Sequence, residues 1–353
     1  MTASVAAREL SFNQAINEAI RLEMRRDPTI VIMGEDIAGG AGRAHLGFID
    51  AWGGAMRATR GLITEFGPER VLDTPIAETG FVGAAVGAAM SGLRPIVEIM
   101  FVDLIGCCYD QIINQAAKMH YMMGGQVKMP LLIRTVFGTR GDKRTYGGGA
   151  AAQHSQTLYS VLAHIPGLKV VVPSTAYNAK GLTAAAIRDD GPVVMLEHKF
   201  LGSAAKGPVP DDAYTLPIGR AEVVRRGRDI TLCGIGRMTH VSLEAADILA
   251  GKGISAEVVD VLTLSPLDEN TILESVRRTR RLVVVDEDTP TASMARDIAA
   301  RVADKGFDFL DAPLKTVTAP DTPVPFSGVL ESHYTPSSGN VIAAVGELLG
   351  IRL

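Results

Sequence analysis

The chain has 353 residues, 47% hydrophobic and 21% charged, with a net charge of −4 at pH 7. That length supports two domains with sizeable cores, and the slight acidity offers no basic surface to nucleic acid or anionic membrane. Its three cysteines, Cys107 beside Cys108 and a distant Cys233, make neither a disulfide framework nor a zinc pattern.

Met1 to Phe12 lacks an apolar run of signal-peptide length. The longest run of low polarity, Gly80 to Leu93, is too short and too rich in glycine to cross a bilayer, so a cytoplasmic protein is expected. Ser11 and Gln14 form a capping-box pattern, and Phe12, Ile16, Ile20 and Met24 follow at helical spacing as far as Asp27-Pro28. Thr29 to Met33 reads as a buried strand that stops at Gly34-Glu35-Asp36. Two acids then stand where open parallel sheets collect ligands, or on a solvated turn. Gly39 to Gly61 reads as a long irregular connection whose dense feature is Asp50-Ala-Trp52-Gly-Gly54. Val71-Leu72, Pro95 to Met100, Leu131 to Val136, Lys169 to Val172 and Val193 to Leu196 are further strands, with helices expected at Tyr109 to His120 and Ala176 to Ile187. Such alternation predicts a doubly wound, mainly parallel sheet.

Leu201 to Pro217 collects Gly202, Gly207, Pro208, Pro210 and Pro217 and reads as a linker, residues 201–217, between domains at 1–200 and 218–353. In the second domain, strands at Asp229 to Cys233, Ser255 to Val261 and Leu282 to Val285 alternate with helices at Val241 to Leu249, Glu269 to Arg278 and Ser293 to Lys305. Gly234-Ile-Gly236-Arg-Met-Thr239 imitates a dinucleotide fingerprint, but Thr239 replaces the third glycine. Four prolines between Asp311 and Pro325 predict a segment that wraps a surface.

The stretch Asp73 to Gly92 joins one carboxylate, Glu78, to a helix of Gly, Ala and Val. Each internal glycine costs about 1 kcal/mol against alanine. Gly80, Gly83 and Gly87 share a face with Ala84, which suits close approach by another helix or a ligand, a buried core helix being the plain alternative. Gly138 to Gly149 sets Arg140, Lys143 and Arg144 among glycines without P-loop order, an anion cradle or a surface loop. His154 stands among Gln153, Ser155 and Gln156, polar neighbours able to fix its tautomer, although a lone histidine is as well explained by structure. No serine nucleophile elbow, HExxH or paired Cys and His pattern is present. One acid, one histidine and a small-residue helix suit a cofactor that carries its own bond chemistry and asks the protein for a proton relay.

Gly34-Glu35-Asp36, Asp73-Thr-Pro-Ile-Ala-Glu78, Arg94-Pro-Ile-Val-Glu98, Asp110-Gln-Ile-Ile-Asn114-Gln-Ala-Ala-Lys118, Gln153-His154-Ser155-Gln156 and Ala179-Lys180-Gly181-Leu182 occur in this order over nearly the whole chain. In this the chain resembles β subunits of thiamine-diphosphate-dependent 2-oxo-acid dehydrogenase E1 components. Asp50 to Gly54 and Met100-Phe-Val-Asp103 look most like acetoin dehydrogenase β subunits. The resemblance implies two doubly wound α/β domains of transketolase type, a pyrimidine-binding domain and a transketolase C-terminal-like domain. It also implies an α2β2 heterotetramer with an E1 α subunit, thiamine diphosphate shared between the two chains, and a lipoyl-bearing E2 partner. A Gly-Asp-Gly motif followed by a distant Asn, which would hold the diphosphate through Mg2+, is absent from this sequence, so that end falls to the α subunit.

By the same resemblance, Glu78 matches the acid that bonds N1′ of the aminopyrimidine. A carboxyl sharing that proton favours the 4′-imino tautomer, whose nitrogen can take the thiazolium C2 proton. His154 matches the histidine facing the reacting carbon, Glu35 an acid of a polar tunnel between cofactors, and Ile76 and Met100 apolar positions beside the pyrimidine. Leu104 departs from the pattern, standing where an aromatic ring is usual, with a stacking loss of about 0.5–1.5 kcal/mol. The main-chain carbonyls of Leu131, Ala186 and Asp189 match a monovalent cation site, for K+. The expected reaction is cleavage of acetoin with transfer of a two-carbon fragment to lipoyl. Decarboxylation of pyruvate or a branched-chain 2-oxo acid is the alternative, and a non-catalytic subunit for assembly and E2 docking is the reading from another class.

Overall fold

The computed structural model describes residues 8–39, 53–54, 56–140 and 149–353. Trp52 with the residues just before it, and Lys143 and Arg144, lie outside them. The chain divides into two compact units, residues 1–136 with 162–218 and residues 137–161 with 219–353. A piece of the first half therefore belongs with the second, a grouping for which sequence order holds no signal.

Along the first half come β1 (Glu9–Ser11), α1 (Phe12–Arg26), β2 (Ile30–Gly34), α2 (Leu62–Phe66), β3 (Val71–Asp73), α3 (Glu78–Met90), β4 (Arg94–Phe101), α4 (Met119–Met122) and β5 (Leu132–Phe137). They are followed by α5 (Tyr159–Ala163), β6 (Lys169–Val171), α6 (Ala176–Arg188), β7 (Val193–His198), α7 (Lys199–Ala204) and β8 (Lys206–Pro208). The predicted capping box is present: Ser11 Oγ accepts the Gln14 N–H at 3.3 Å, and Gln14 Oε1 accepts the Ser11 N–H at 2.9 Å. Helix α1 buries Phe12, Ile16, Ile20 and Met24, as their spacing requires.

In the first unit the strands lie in the order β6-β7-β5-β4-β2-β3, with β2–β3, β2–β4, β4–β5 and β6–β7 parallel. Covered on both faces, β2, β5 and β7 are buried along their whole length, hence their unbroken apolar runs. From β2 the chain passes to β3 on one side, and from β4 to β5 on the other. The carboxyl ends of β2 and β4 thus form a topological switch point, where such sheets bind ligands.

Arg134 lies fully buried in the middle of β5. Its Nε and Nη2 donate to Glu197 Oε1 and Oε2 at 2.7 and 3.0 Å, and its Nη1 donates to Glu98 Oε2 at 2.9 Å. Burial opposes the guanidinium charge, but Glu197 and Glu98 outweigh it and hold the Arg134 pKa above its ordinary value. With Glu197 taking the bidentate bond, Glu98 is the surplus acid, pushed up by burial and by the charge of Glu197 against the pull of Arg134.

One expectation is corrected here. Tyr109 to His120 is not one α-helix: a 3₁₀ segment, Val102–Cys108, leads into a π turn, Gln111–Ala116, in which the Ala117 N–H reaches Ile112 O at 3.0 Å. Gly106 and two cysteines, all weak helix formers, stand at its entry. The stretch 201–217, read as a linker, holds most of α7 and all of β8, which pairs antiparallel with β1. The buried ammonium of Lys180 needs acceptors and finds them in Glu18 Oε1 at 2.5 Å and in the carbonyls of Pro210 and Asp211 at 2.5 and 3.2 Å.

The second unit contains β9 (Glu222–Arg225), β10 (Ile230–Gly234), α8 (Arg237–Ala250), β11 (Ala256–Asp260), β12 (Thr263–Ser265), α9 (Glu269–Thr279), β13 (Leu282–Val285), α10 (Met294–Gly306), β14 (Lys315–Val317), α11 (Gly328–Tyr334) and α12 (Ser338–Leu349). A five-stranded sheet runs β14-β13-β10-β11-β9, with β9 antiparallel to β11. The proline-rich segment does not only wrap a surface, because Lys315–Val317 enters the sheet and Val317 joins the core. A Cβ on Gly234 would sit 2.5 Å from Thr239 Cα, so this glycine serves close packing of α8 on its strand. At the end of β13, Asp286 and Asp288 are buried. Burial, then the charge of Asp286, pushes the Asp288 carboxyl up to about 7.

Replacing Arg134 by Met strands two buried carboxylates and is expected to cost about 3–5 kcal/mol in urea unfolding. The native state binds more protons than the unfolded chain between the ordinary carboxyl range and the raised Asp288 value. Stability should therefore fall as pH rises from about 4 to about 7, by a component that Asp288→Asn removes from urea midpoints measured across that range.

Candidate functional site

Where β2 ends, the chain turns sharply. Asp36 takes a left-handed φ of 56°, and its carbonyl accepts the Gly54 N–H at 3.1 Å. Asp73 Oδ1 accepts the Ala38 N–H at 2.6 Å, and the Thr74 N–H donates to Gly34 O at 3.0 Å. These bonds stitch the turn bearing Glu35 to the end of β3. Burial pushes the Glu35 carboxyl up, and the charges of Asp36 and Glu78 add to the shift. Glu35 and Glu78 thus share one acidic neighbourhood.

Glu78 opens α3 and is 8% exposed. The Cys108 thiol, pushed up to about 12 by burial and then by the charge of Glu78, lies in the 3₁₀ segment beside it. Ile76, two residues earlier, is 74% exposed, a large apolar side chain unburied by its own chain. Met100 is half-buried at a bulge: Ile99 pairs with Thr135 and Phe101 with Val136, leaving Met100 as the extra residue. Bulges at strand ends re-aim side chains, a feature with no sequence marker here. Leu104 is half-buried in the same 3₁₀ segment as Cys108. Among the described residues, Thr74 Oγ1 is buried with no hydrogen-bond partner.

A buried acid, a shelf of aliphatic side chains and an unpartnered hydroxyl fit a flat heterocycle with polar edges, which is the character of an aminopyrimidine. The neighbouring face of α3 is bare. Gly80, Ala84 and Gly87 are exposed, and a Cβ on Gly87 would meet nothing within 4 Å. This chain's own packing makes no demand for smallness at Gly87.

His154 belongs to the second unit, in an irregular stretch before α5. It is half-buried, and its N–H donates to Ala151 O at 3.3 Å. The structure thus brings Glu35, Ile76 and Glu78 together in the first unit with Met100 and Leu104 on the adjoining segment, while His154 sits in the other unit. Of the three cation-site carbonyls, Leu131 O accepts the Val193 N–H at 2.9 Å and Ala186 O the Asp189 N–H at 3.4 Å. Asp189 O accepts from Arg94 Nη1 at 3.0 Å, so a side-chain cation already lies on that turn. Among the described residues, no group of three His, Cys, Asp or Glu side chains is arranged to hold a metal, and no helix is long and apolar enough to cross a membrane.

Comparison with known proteins matches residues 8–203 to the transketolase pyrimidine binding domain and residues 219–341 to the transketolase C-terminal domain. The chain is 53% identical over 346 residues to the acetoin:2,6-dichlorophenolindophenol oxidoreductase subunit beta of Bacillus subtilis, covering 98% of each chain. It is 52% identical to the subunit of that name from Cupriavidus necator, covering 96% of this chain and 97% of the other. Identity to the 2-oxoisovalerate dehydrogenase subunit beta of Bacillus subtilis is 42%, covering 96% and 98%. In fold it is similar to a split gene transketolase solved as an inactive beta4 tetramer, with a TM-score of 0.74 at 22% identity, covering 98% and 99%. On these matches the chain belongs to the family of transketolase-type β subunits of thiamine-diphosphate-dependent 2-oxo-acid dehydrogenase E1 components, acetoin dehydrogenase β subunits among them.

Proposed function

We propose that this chain is the β subunit of an E1 enzyme that cleaves acetoin to acetaldehyde and passes the remaining two-carbon fragment to a lipoyl group of an E2 partner. The observation that carries the catalytic part is Glu78, a buried acid at the head of α3 beside the exposed Ile76. The choice of acetoin rests on identities of 53% and 52% to acetoin-oxidising subunits against 42% to the 2-oxoisovalerate subunit.

When bound, thiamine diphosphate supplies the thiazolium carbon that adds to the substrate carbonyl and takes up the electron pair of the broken C–C bond. Glu78 would bond N1′ of the aminopyrimidine and hold the proton there. Ile76, Met100 and Leu104 would pack beside the pyrimidine and exclude water, Leu104 by aliphatic packing in place of stacking. Glu35, its carboxyl pushed up by burial and by the charges of Asp36 and Glu78, would hold and pass a proton in that acidic neighbourhood. His154 would serve the proton of the lipoyl sulfur as the dithiolane S–S bond opens, the fragment being oxidised to an acyl group and the disulfide reduced.

In this reading an E1 α subunit completes an α2β2 heterotetramer in the cytoplasm and holds the diphosphate through Mg2+. A K+ ion on the carbonyls of Leu131, Ala186 and Asp189 would share its turn with Arg94. The bare face of α3 is the boundary with another subunit, the role that its glycines lack within the chain.

The test is co-expression with the α subunit and comparison of acetoin, pyruvate and 2-oxoisovalerate, using 2,6-dichlorophenolindophenol as electron acceptor. Acetoin should be favoured in kcat/KM by about tenfold or more, and a preference for pyruvate would overturn the assignment. Glu78→Gln should lower thiamine-dependent turnover by about 10²-fold or more. Full activity in that variant would leave only the role of an assembly subunit. Gly87→Leu, which meets no obstacle within the chain, should leave the melting temperature of the isolated β chain unchanged or raised yet block tetramer formation on size exclusion.

A further inference from the structure

The segment that carries His154 is fastened to the second unit on both sides. At its start, the Thr139 N–H donates to Glu287 Oε1 at 2.6 Å, the Thr139 and Thr335 hydroxyls meet at 2.8 Å, and the Arg140 N–H donates to Glu331 Oε1 at 3.0 Å. At its end, the Tyr159 O–H donates to Asp286, and Ser160 Oγ donates to Asp288 Oδ2 at 2.6 Å. The Gly138 N–H closes the two limbs on each other through Gln156 O at 3.1 Å.

The Tyr159 side of this fastening is built rather than incidental. Tyr159 is fully buried, with its ring edge-on to Phe137 at 5.5 Å between centroids. Burial first, and then the charges of Asp286, Asp288 and Glu287, hold its phenol well above the ordinary value, so it keeps the proton that it donates to Asp286. Asp286 is itself held by the Asp288 N–H and the Ala295 N–H, both at 2.9 Å, and is not free to follow a moving tyrosine. Between these anchors Ala151 has a left-handed φ of 62° and supplies the carbonyl that the His154 N–H bonds. A non-glycine residue in that conformation is strained and persists only where its surroundings over-determine it. The Gly149 N–H, which donates to Phe326 O at 2.7 Å, on one side and the Tyr159 and Ser160 bonds on the other supply that constraint.

We propose that Tyr159 and Ser160, held by Asp286 and Asp288, are positioning residues for His154, so that the end of β13 in the second unit sets where the imidazole stands for the lipoyl transfer step. This rests on the reading of His154 given above. It assigns to the C-terminal half a part in group transfer beyond assembly.

The test uses the enzyme reconstituted with its α subunit and carrying Tyr159→Phe, Ser160→Ala or both. Tyr159→Phe keeps the ring on Phe137, and Ser160→Ala alone serves if the double variant is poorly folded. Reductive acylation of a free lipoyl domain should fall by about fivefold or more, while dye-coupled acetoin cleavage changes by less than about twofold. Carbethoxylation of His154 by diethyl pyrocarbonate, followed by peptide mass spectrometry on the β chain, should change in rate by about twofold or more at an unchanged melting temperature. Parallel loss in both assays, or unaltered His154 reactivity, would overturn the proposal. His154→Ala separates the two readings. If it acylates lipoyl at full rate, the role of the histidine falls and the proposal with it. If it is defective and the Tyr159 and Ser160 variants are not, the positioning proposal alone falls.

Discussion

A guanidinium without water is tolerable only if its charge is answered on the spot, and Arg134 obtains that answer from two strands at once. Glu197 on β7 and Glu98 on β4 flank β5, so the ion cluster fixes three neighbouring strands against sliding. Glu98 also stands in register with Gly34 of β2, one residue before Glu35. A Cβ on Gly34 would lie 2.7 Å from Glu98 O, so a glycine is required where the two strands close up. The bulge at Met100 begins two residues beyond Glu98. A buried charge in mid-sheet is therefore the reference point from which the acid-bearing turn and the apolar shelf are both measured.

The two units carry different duties. The first gathers Glu35, Glu78 and the aliphatic shelf at a switch point, a place suited to holding a heterocycle and moving its protons. The second holds the histidine segment, with carboxylates meeting main-chain N–H groups and hydroxyls. In both cases acids do work that depends on their surroundings. Glu98 is the surplus partner of a cation, and Asp288 is crowded by Asp286. Identical side chains acquire separate tasks through burial and neighbours.

Much of this was legible in the sequence, because the elements obey short-range rules. The Ser11 and Gln14 capping box, the apolar strands of a sheet covered on both sides, and the acid at the head of a small-residue helix all follow from spacing and composition. What escaped depends on partners far along the chain. The winding of Gln111–Ala116 into a π turn, the bulge at Met100 and the edge strands β9 and β14 are decided by what packs beside them. The 201–217 stretch read as a plain linker because nothing local shows that Lys180, about thirty residues earlier, uses its carbonyls as acceptors. The grouping of residues 137–161 with the second unit escaped for the same reason, since Asp286 and Glu331 are more than a hundred residues away.

That grouping bears on how such a chain can be inherited. A recombination event at the boundary near residue 218 looks harmless, since it would exchange the whole five-stranded sheet for a relative's. Yet it would bring residues 137–161, with their threonine, tyrosine and serine, against a foreign set of acids. The hydroxyls at 159 and 160 and the carboxylates at 286 and 288 form a lock and key carried on opposite sides of the crossover. Lineages can swap the C-terminal half freely only where both members of each pair travel together, so the two halves are expected to descend as one genetic unit although each folds around its own sheet.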